Sequence, residues 1–403
     1  MPVVQTKDSR VALGVTRENL RQHNLGVVLG VLHAEGAVPR SRLTTVSGLN
    51  RSTISDLVGE LSDLGLVRES EGQLDGTIGR PSHMVEPSCD VVAIAVNPDT
   101  DATTVGAISL DGRVVRQIRR FTRRQNEPDE AVELAATLIA ELRAQLNPNT
   151  RIAGVGVAVP GQIRVADGVV RNAPHLTWVE VPFAGMLARA TGLSVRLAND
   201  GACVCTAEHQ FGAGRGSSHM VLIYAGYGGI GGGAVIDGRL MHGATGYAGE
   251  FGHMQIASDK VADYSGLRGT LEALVRRDDL LEVFRLDAAT DEELEFEILT
   301  TKDSRATRLL HRQGEALGRA IGALTTAFNP DTVILAGFLA AVRKFDSAGV
   351  LAAVRASSLA AASERLVIAE CALGSSAVLV GAAELAFAPL LENPAAVRLV
   401  ATV

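Results

Sequence analysis

Residues 21–81 constrain the fold most, because three helical periodicities are followed there by a strand, a polar Gly-rich gap and a returning strand. From Asn24 to Glu35 the residues Leu25, Val28, Leu29 and Leu32 recur at helical spacing, and Gly36 stops the helix. A second short helix is expected over Ser41–Ser47, with Gly48 as its turn. Asn50 or Ser52 caps a third, in which Ile54, Leu57, Val58, Leu61 and Leu64 form an inward stripe, while Arg51, Thr53, Ser55 and Asp56 lie near the opposite face. Gly65-Leu66-Val67 opens a strand, and His83 to Val85 returns as its partner beyond the gap at 70–79. This order predicts a winged helix-turn-helix. It would set the start of the third helix in a major groove, with Arg51, Ser52, Thr53 and Ser55 reaching base edges or phosphates. Arg40, Arg42 and Arg80 would then meet phosphates or the minor groove. A small helical protein-interaction module fits the same segment, since Arg17 to Pro87 carries about as many acids as bases. The placing of the basic residues at the tips favours a duplex.

At 403 residues the chain exceeds what one core usually supports, so two or three domains are expected. Apolar residues make up 47%, aromatics only 4%, and 42 glycines are spread along the chain. That composition suits an Ala/Val/Leu-rich α/β protein with many tight turns and excludes a mostly disordered chain. With 38 basic and 45 acidic residues the net charge is −7, so nothing attracts the whole molecule to DNA or to an anionic membrane. Any nucleic-acid contact must be local. Of Cys89, Cys203, Cys205 and Cys371 only the middle two are close, in a C-x-C without the partner pair of a zinc knuckle, so reduced and mostly buried thiols are expected. The amino terminus has no apolar core of signal-peptide length and no apolar run of about 18 residues follows. A cytoplasmic protein with no membrane partner is the expectation, with residues 1–18 as a flexible lead.

Past Pro87 the texture changes. Residues 91–96 (VVAIAV), 103–110 and 114–121 read as strands, with a turn at Asp111-Gly112, and a helix is expected from Pro128 to Leu146. The strand at 152–161 leads through a loop and a helix near Phe183–Thr191 to a short strand, Val195–Ala198, that delivers Asn199-Asp200. A strand and turn unit fills 220–240, helices dominate 268–328, and another strand is expected at Thr332–Leu335. Two similar α/β lobes fit this order. The Gly212-x-Gly214-x-Gly216 stretch lacks the third spacing of a dinucleotide fingerprint and precedes a strand, so it reads as a turn.

Asn199-Asp200, Gly249-Glu250-Phe251-Gly252-His253 and Glu272 bring amide, carboxylate and imidazole groups suited to a polyhydroxylated ligand. Each alone has a plainer reading: Asn-Asp as turn chemistry, His253 as a satisfied core histidine, Glu272 as an acid favoured by a helix dipole. Taken in order, residues 21–81 with VGVAVPGQI, LANDGA, GGIGGG, AGEFGH, GLRGTLE, NPDTVILAG and GSSAVLVGAA resemble the ROK family of repressors and sugar kinases. The likeness covers nearly the whole chain. It implies an α/β fold in which an N-terminal winged helix-turn-helix precedes a two-lobed, actin-like (ribonuclease H-like) ATPase-fold body with a sugar in the cleft. It also implies sugar contacts at Gly161, Gln162, Asn199, Asp200, Glu250, His253 and Glu272, with Asp200 at the position of the general base in kinase members.

The departures lie in the phosphate-binding parts. Kinases of the family carry Asp-x-Gly-Gly-Thr in the first strand pair, where this chain has VNPDTDAT at 96–103, losing glycines and, at Pro98, a backbone donor. A second loop, Gly-Thr-Gly in kinases, is Tyr227-Gly228-Gly229 here, and Ala336-Gly337 stands for a double glycine. Zinc-binding members use the histidine matching His253 and three cysteines, whose positions are Asp263, Ser265 and Thr270 here, a poor tetrahedral set. No metal, no cofactor and no kinase activity are therefore expected, Asp200 being a vestigial base, and the loop must be ordered by packing or hydrogen bonds. The expected division is a winged helix-turn-helix at 19–87, a first lobe of 88–198 plus about 373–403, and a second lobe of 199–372. The expected role is a repressor on a palindromic operator, dimeric or tetrameric, modulated by a sugar or sugar derivative. The rival readings are a sugar kinase with a DNA-binding head and a ligand-independent DNA-binding protein whose cleft is vestigial.

Overall fold

The computed structural model describes residues 17–71, 83–122, 124–258 and 260–402. By contact density the chain falls into two compact units, residues 1–88 with 389–398, and 89–388 with 399–403.

In the first unit α1 (Arg17–Glu35) is followed by β1 (Val38–Pro39), α2 (Arg40–Ser47), α3 (Arg51–Asp63), β2 (Val67–Glu71) and β3 (His83–Pro87). The first helix begins at Arg17, seven residues before the expected Asn24 and inside the expected lead, because residues 17–23, polar but for an exposed Leu20, continue its turns without contributing to the apolar stripe. Leu25, Val28, Leu29, Leu32, Leu43, Ile54, Leu57, Val58 and Leu61 are all buried, so the three stripes face one core. β3 lies between β1 and β2, antiparallel to both, which forms the winged sheet. Residues 389–398, expected to belong to the first lobe, join this unit instead. Gly26 makes that possible: a Cβ there would crowd the Leu391 and Glu392 carbonyl oxygens.

Among its described residues the second unit holds two large sheets and one small one. The first runs β4 (Val91–Pro98), β5 (Ala102–Ser109) and β6 (Val114–Phe121), all antiparallel, then α4 (Pro128–Ala144) and β7 (Arg151–Val159). After a small sheet of β8 (Gln162–Arg164), β9 (Val169–Ala173) and β10 (Trp178–Val181), α5 (Phe183–Thr191) leads to β11 (Val195–Asn199). The main order is β11-β7-β4-β5-β6, with β7 parallel to β4 and β11. β4 is buried along its whole length, as a central strand covered on both faces must be.

From α6 (Asp200–Phe211) the chain enters β12 (Met220–Gly226), β13 (Gly229–Ile236) and β14 (Arg239–Leu240). The helices α7 (Leu271–Leu274), α8 (Arg277–Phe284), α9 (Asp291–Thr300) and α10 (Ser304–Phe328) come next, then β15 (Thr332–Gly337), α11 (Leu339–Phe345), α12 (Ser347–Ala356), α13 (Ala360–Ser363) and β16 (Val367–Glu370). The second sheet reads β14-β13-β12-β15-β16, three antiparallel strands followed by two parallel ones. This repeats the first sheet's order strand for strand, so the two lobes have one topology.

The chain closes with α14 (Ala377–Glu392) and β17 (Val400–Ala401), the latter on the edge of β7. Residues 374–392 are long and apolar enough to cross a membrane by length and composition alone, against the expectation that no such run occurs. Leu379, Val380, Ala382, Ala383, Phe387 and Leu390 are buried within the protein. A Cβ at Gly156 of β7 would overlap the Ala382 carbonyl, so the helix is fitted directly onto the sheet. Its apolarity is that of a core helix.

Candidate functional site

In the winged unit Asn50, not Ser52, caps α3: its side-chain oxygen accepts from the Thr53 N–H at 2.9 Å and from the Ser52 hydroxyl at 2.7 Å. Arg51 stands exposed in the first turn beside the partly exposed Thr53. Ser55 accepts from Arg40 Nη1 at 3.0 Å, and the same guanidinium makes a two-pronged pair with Glu69 at 3.1 and 2.6 Å. Arg42 is clamped by Glu35 through two bonds of 2.9 Å. Arg40 and Arg42, expected to meet phosphates or the minor groove, are each paired here, so a duplex would have to compete with Glu69 and Glu35. Arg80 lies outside the described residues.

The second unit assembles most of the predicted ligand set around the start of α6. Asn199 ends β11 and caps α6, its oxygen accepting from Ala202 N at 3.1 Å while its amide donates to the Gly161 carbonyl at 3.0 Å. Asp200 follows at the first helical position, where burial, with the charges of Asp99 and Glu250 added, pushes its carboxyl up to about 7. Burial also raises Glu250, against the pull of His253. Glu272, in the first turn of α7, accepts from Ile230 N at 2.7 Å and is likewise held above its ordinary range by burial. These mutual influences place Asp200, Glu250, His253 and Glu272 in one electrostatic neighbourhood. Gln162 is exposed at the start of β8. A cavity of about 310 Å³ is lined by Glu272, Asp263, Tyr264, His175, Tyr227 and Arg277, among others, but not by Gly161, Gln162, Asn199, Asp200, Glu250 or His253.

Both ring nitrogens of His253 are engaged. Nδ1 lies 2.9 Å from Asp263 Oδ2 and Nε2 lies 2.9 Å from the Tyr264 hydroxyl. Tyr264 also meets His175 edge to face, with centroids 4.4 Å apart. Asp263 accepts from Ser265 and Thr270 as well, so the three residues aligned with zinc-ligating cysteines form one hydrogen-bonded cluster. Burial alone would raise Asp263, but the bonds from Ser265, His253 and Thr270 outweigh it and hold the carboxyl at about 2. Among the described residues no group of three or more His, Cys, Asp and Glu is placed to hold a metal ion.

A second cavity, of about 270 Å³, is lined by Asp99, Arg119, Tyr227, Asp291, Glu292, Glu295, Ala336, Gly337, Lys344 and Glu370, among others. Tyr227, at the β12–β13 turn, borders both cavities. Arg277 stacks over its ring at 4.6 Å and is itself fixed to Asp291 and the Ala289 carbonyl at 2.5 Å each. Of the two basic residues just named in that lining, Lys344 is held by Glu295 and Glu370 at 2.8 Å each, and Arg119 by Asp101 at 2.8 Å. Asp99, in the turn between β4 and β5, is pushed up to about 6 by burial. The named lining thus holds five acids and two cations, and Asp291, Glu295 and Glu370 are themselves paired with Arg277 and Lys344.

Three contributors were not anticipated from the sequence. Tyr264 and His175 carry no periodic signal, and His175 Nε2 is buried without a partner. Glu208 had a legible one: an acid four residues after Val204 on the inward face of α6. It is fully buried and accepts from the backbone N–H of Ala213, Ala372 and Leu373 at 2.8, 3.0 and 2.8 Å.

Comparison with known proteins agrees with this architecture. Residues 94–388 match the model of the ROK family. A glucokinase of Thermotoga maritima is 32% identical over 60% of this chain and 81% of its own length. The DNA-binding transcriptional repressor Mlc of Escherichia coli K12 is 23% identical over 91% of this chain and 93% of its own. Among solved structures, a ROK family transcriptional regulator described as a homolog of E. coli Mlc superposes with a TM-score of 0.75 at 24% identity, covering 93% of this chain and 97% of that one. With the family's model matched across both lobes and its two sheets present in the same strand order, this chain belongs to the ROK family.

Proposed function

We propose that the protein is a DNA-binding transcriptional regulator, a repressor, whose two-lobed body binds a sugar or sugar derivative that modulates its hold on DNA. The observation that carries this reading is the winged helix-turn-helix, with Arg51 at the exposed start of α3 and in no ion pair among the described residues. Arg51 and Thr53 reach base edges, Ser52 and Ser55 reach phosphates, and Arg40, Arg42 and Arg80 flank them. A dimer or tetramer matches the two half-sites of a palindromic operator, in the cytoplasm where the chromosome is accessible. The relatives support the assignment by coverage: the repressor aligns through the head, whereas the glucokinase aligns over 60% of the chain.

Gly161, Gln162, Asn199, Asp200, Glu250, His253 and Glu272 form the effector site in this reading. The effector shifts operator affinity only by its differential binding to two states, and about 1–3 kcal/mol of coupling suffices. No phosphoryl transfer accompanies it in this reading, since residues 96–103 and Tyr227-Gly228-Gly229 lack the glycine and hydroxyl pattern that lets a backbone approach phosphates. Arg51→Ala should weaken operator binding about 5- to 150-fold, the equivalent of the roughly 1–3 kcal/mol a bidentate base contact contributes. Gel-shift titration on sites recovered by genome-wide mapping measures this, and unchanged affinity would remove α3 from the interface.

The competing reading, a sugar kinase with a DNA-binding head, draws on Asp200 and on the glucokinase relative. A coupled assay with ATP and a panel of hexoses should give no turnover above background. Robust turnover abolished by Asp200→Asn would replace the proposed reading.

A further inference from the structure

The loop from Val261 to Thr270 is gathered by one carboxylate. Asp263 Oδ2 accepts from His253 Nδ1 and from the Thr270 hydroxyl, each at 2.9 Å. Its Oδ1 accepts from the Ser265 N–H at 2.9 Å, the Ser265 hydroxyl at 2.6 Å and the Leu267 N–H at 3.1 Å. The Asp263 side chain is wholly covered although its neighbours on the loop are exposed. Thr270 in turn caps α7 by accepting from Ala273 N at 3.2 Å, and α7 carries Glu272. A single anion thus ties together the two segments that hold His253 and Glu272.

Zinc does not fit this arrangement. The donors are one imidazole, one carboxylate and two hydroxyls. The imidazole and carboxylate bond directly to each other, so the lone pairs a metal would need are occupied. The same bonding determines the ring's proton. A carboxylate only accepts, so Nδ1 carries hydrogen, and in the neutral ring Nε2 presents its lone pair to the Tyr264 hydroxyl. Fixing one ring nitrogen with an acceptor is how the groups around a metal's ligands set a histidine's tautomer, here with no metal on the other side.

We propose that Asp263 takes the place of a metal ion as the positioning residue of this loop. It holds His253 in the Nδ1–H form, so that Nε2 accepts from a neutral hydroxyl, Tyr264's own in this structure or one on an incoming ligand. The ligand half of this statement rests on the carbohydrate reading above; the positioning half does not.

The test uses the full chain without added sugar. Metal analysis of purified protein should find well under one zinc per chain, and EDTA should leave the unfolding midpoint unchanged. Long-range ¹H–¹⁵N spectra of histidine-labelled protein, assigned by difference against His253→Gln, should show His253 with hydrogen on Nδ1. Asp263→Asn keeps the shape and should abolish that tautomer preference; Asp263→Ala should lower the midpoint further. One zinc retained per chain with a fall in midpoint on EDTA, hydrogen on Nε2 in the wild type, or an unaltered His253 signal in Asp263→Asn would each overturn the proposal. Calorimetry of the same samples with D-glucose and D-xylose reads the carbohydrate assignment separately.

Discussion

Replacing Glu208 with alanine should cost about 3–5 kcal/mol of stability, since it leaves three buried N–H donors unpaired at about 1–3 kcal/mol each, partly offset by relaxation. The carboxylate accepts from the N–H groups of Ala213, Ala372 and Leu373 and from the Cys371 thiol at 3.1 Å. It thereby ties the end of α6 to the loop that follows β16, and alanine would leave those donors facing a hole. Glutamine would not rescue fully, because its amide nitrogen would point a donor at donors. Cys371, pushed up to about 12 by burial and by Glu208, should react more readily with an alkylating reagent in both variants as the loop loosens. Urea unfolding curves read the stability, and a loss under about 1 kcal/mol in Glu208→Ala would mean that water replaces the carboxylate cheaply.

Asp200→Asn should do the opposite, stabilising the free protein by about 2–4 kcal/mol at pH 8, since each tenfold change in proton affinity between the folded and unfolded chain is worth about 1.4 kcal/mol. Burial moves this carboxyl from 3.8 to about 7, so the folded state holds the proton more tightly than the unfolded chain. Its contribution is most favourable below pH 4, declines as pH rises from 4 to 7, and stays low above. Asp99 and Glu250, raised for the same reason, give the wild type the same trend. The gain in Asp200→Asn should therefore be small at pH 4.5 and largest above pH 7. A pH-independent gain, or none, would show that water reaches Asp200 freely.

Much of this molecule could be read before any coordinates. Leu25, Val28, Leu29 and Leu32, then Ile54, Leu57, Val58 and Leu61, mark helices because burial requires one face per turn, and all are buried. The strand at 91–96 is legible because a strand covered on both sides must be apolar throughout. Helix starts were less legible: α1 begins seven residues early, since polar turns exposed to water leave no periodic trace. The ligand set came from ordered short motifs, which place Asn199 and Asp200 at a strand end and Glu272 in a first turn, as found.

Local pattern, then, determined the elements, the winged helix-turn-helix and the two lobes, because each of these depends on neighbours along the chain. What the tertiary structure alone decided are the partners of charged and polar groups. It assigned Glu69 and Glu35 to Arg40 and Arg42, Asp263 and Tyr264 to His253, and the distant N–H groups of Ala372 and Leu373 to Glu208. The same holds for Tyr227, which borders two cavities and carries Arg277 over its ring. Hydrogen bonds and ion pairs are short-ranged and directional, so which groups meet depends on where separate segments come together, and no spacing in the sequence records that.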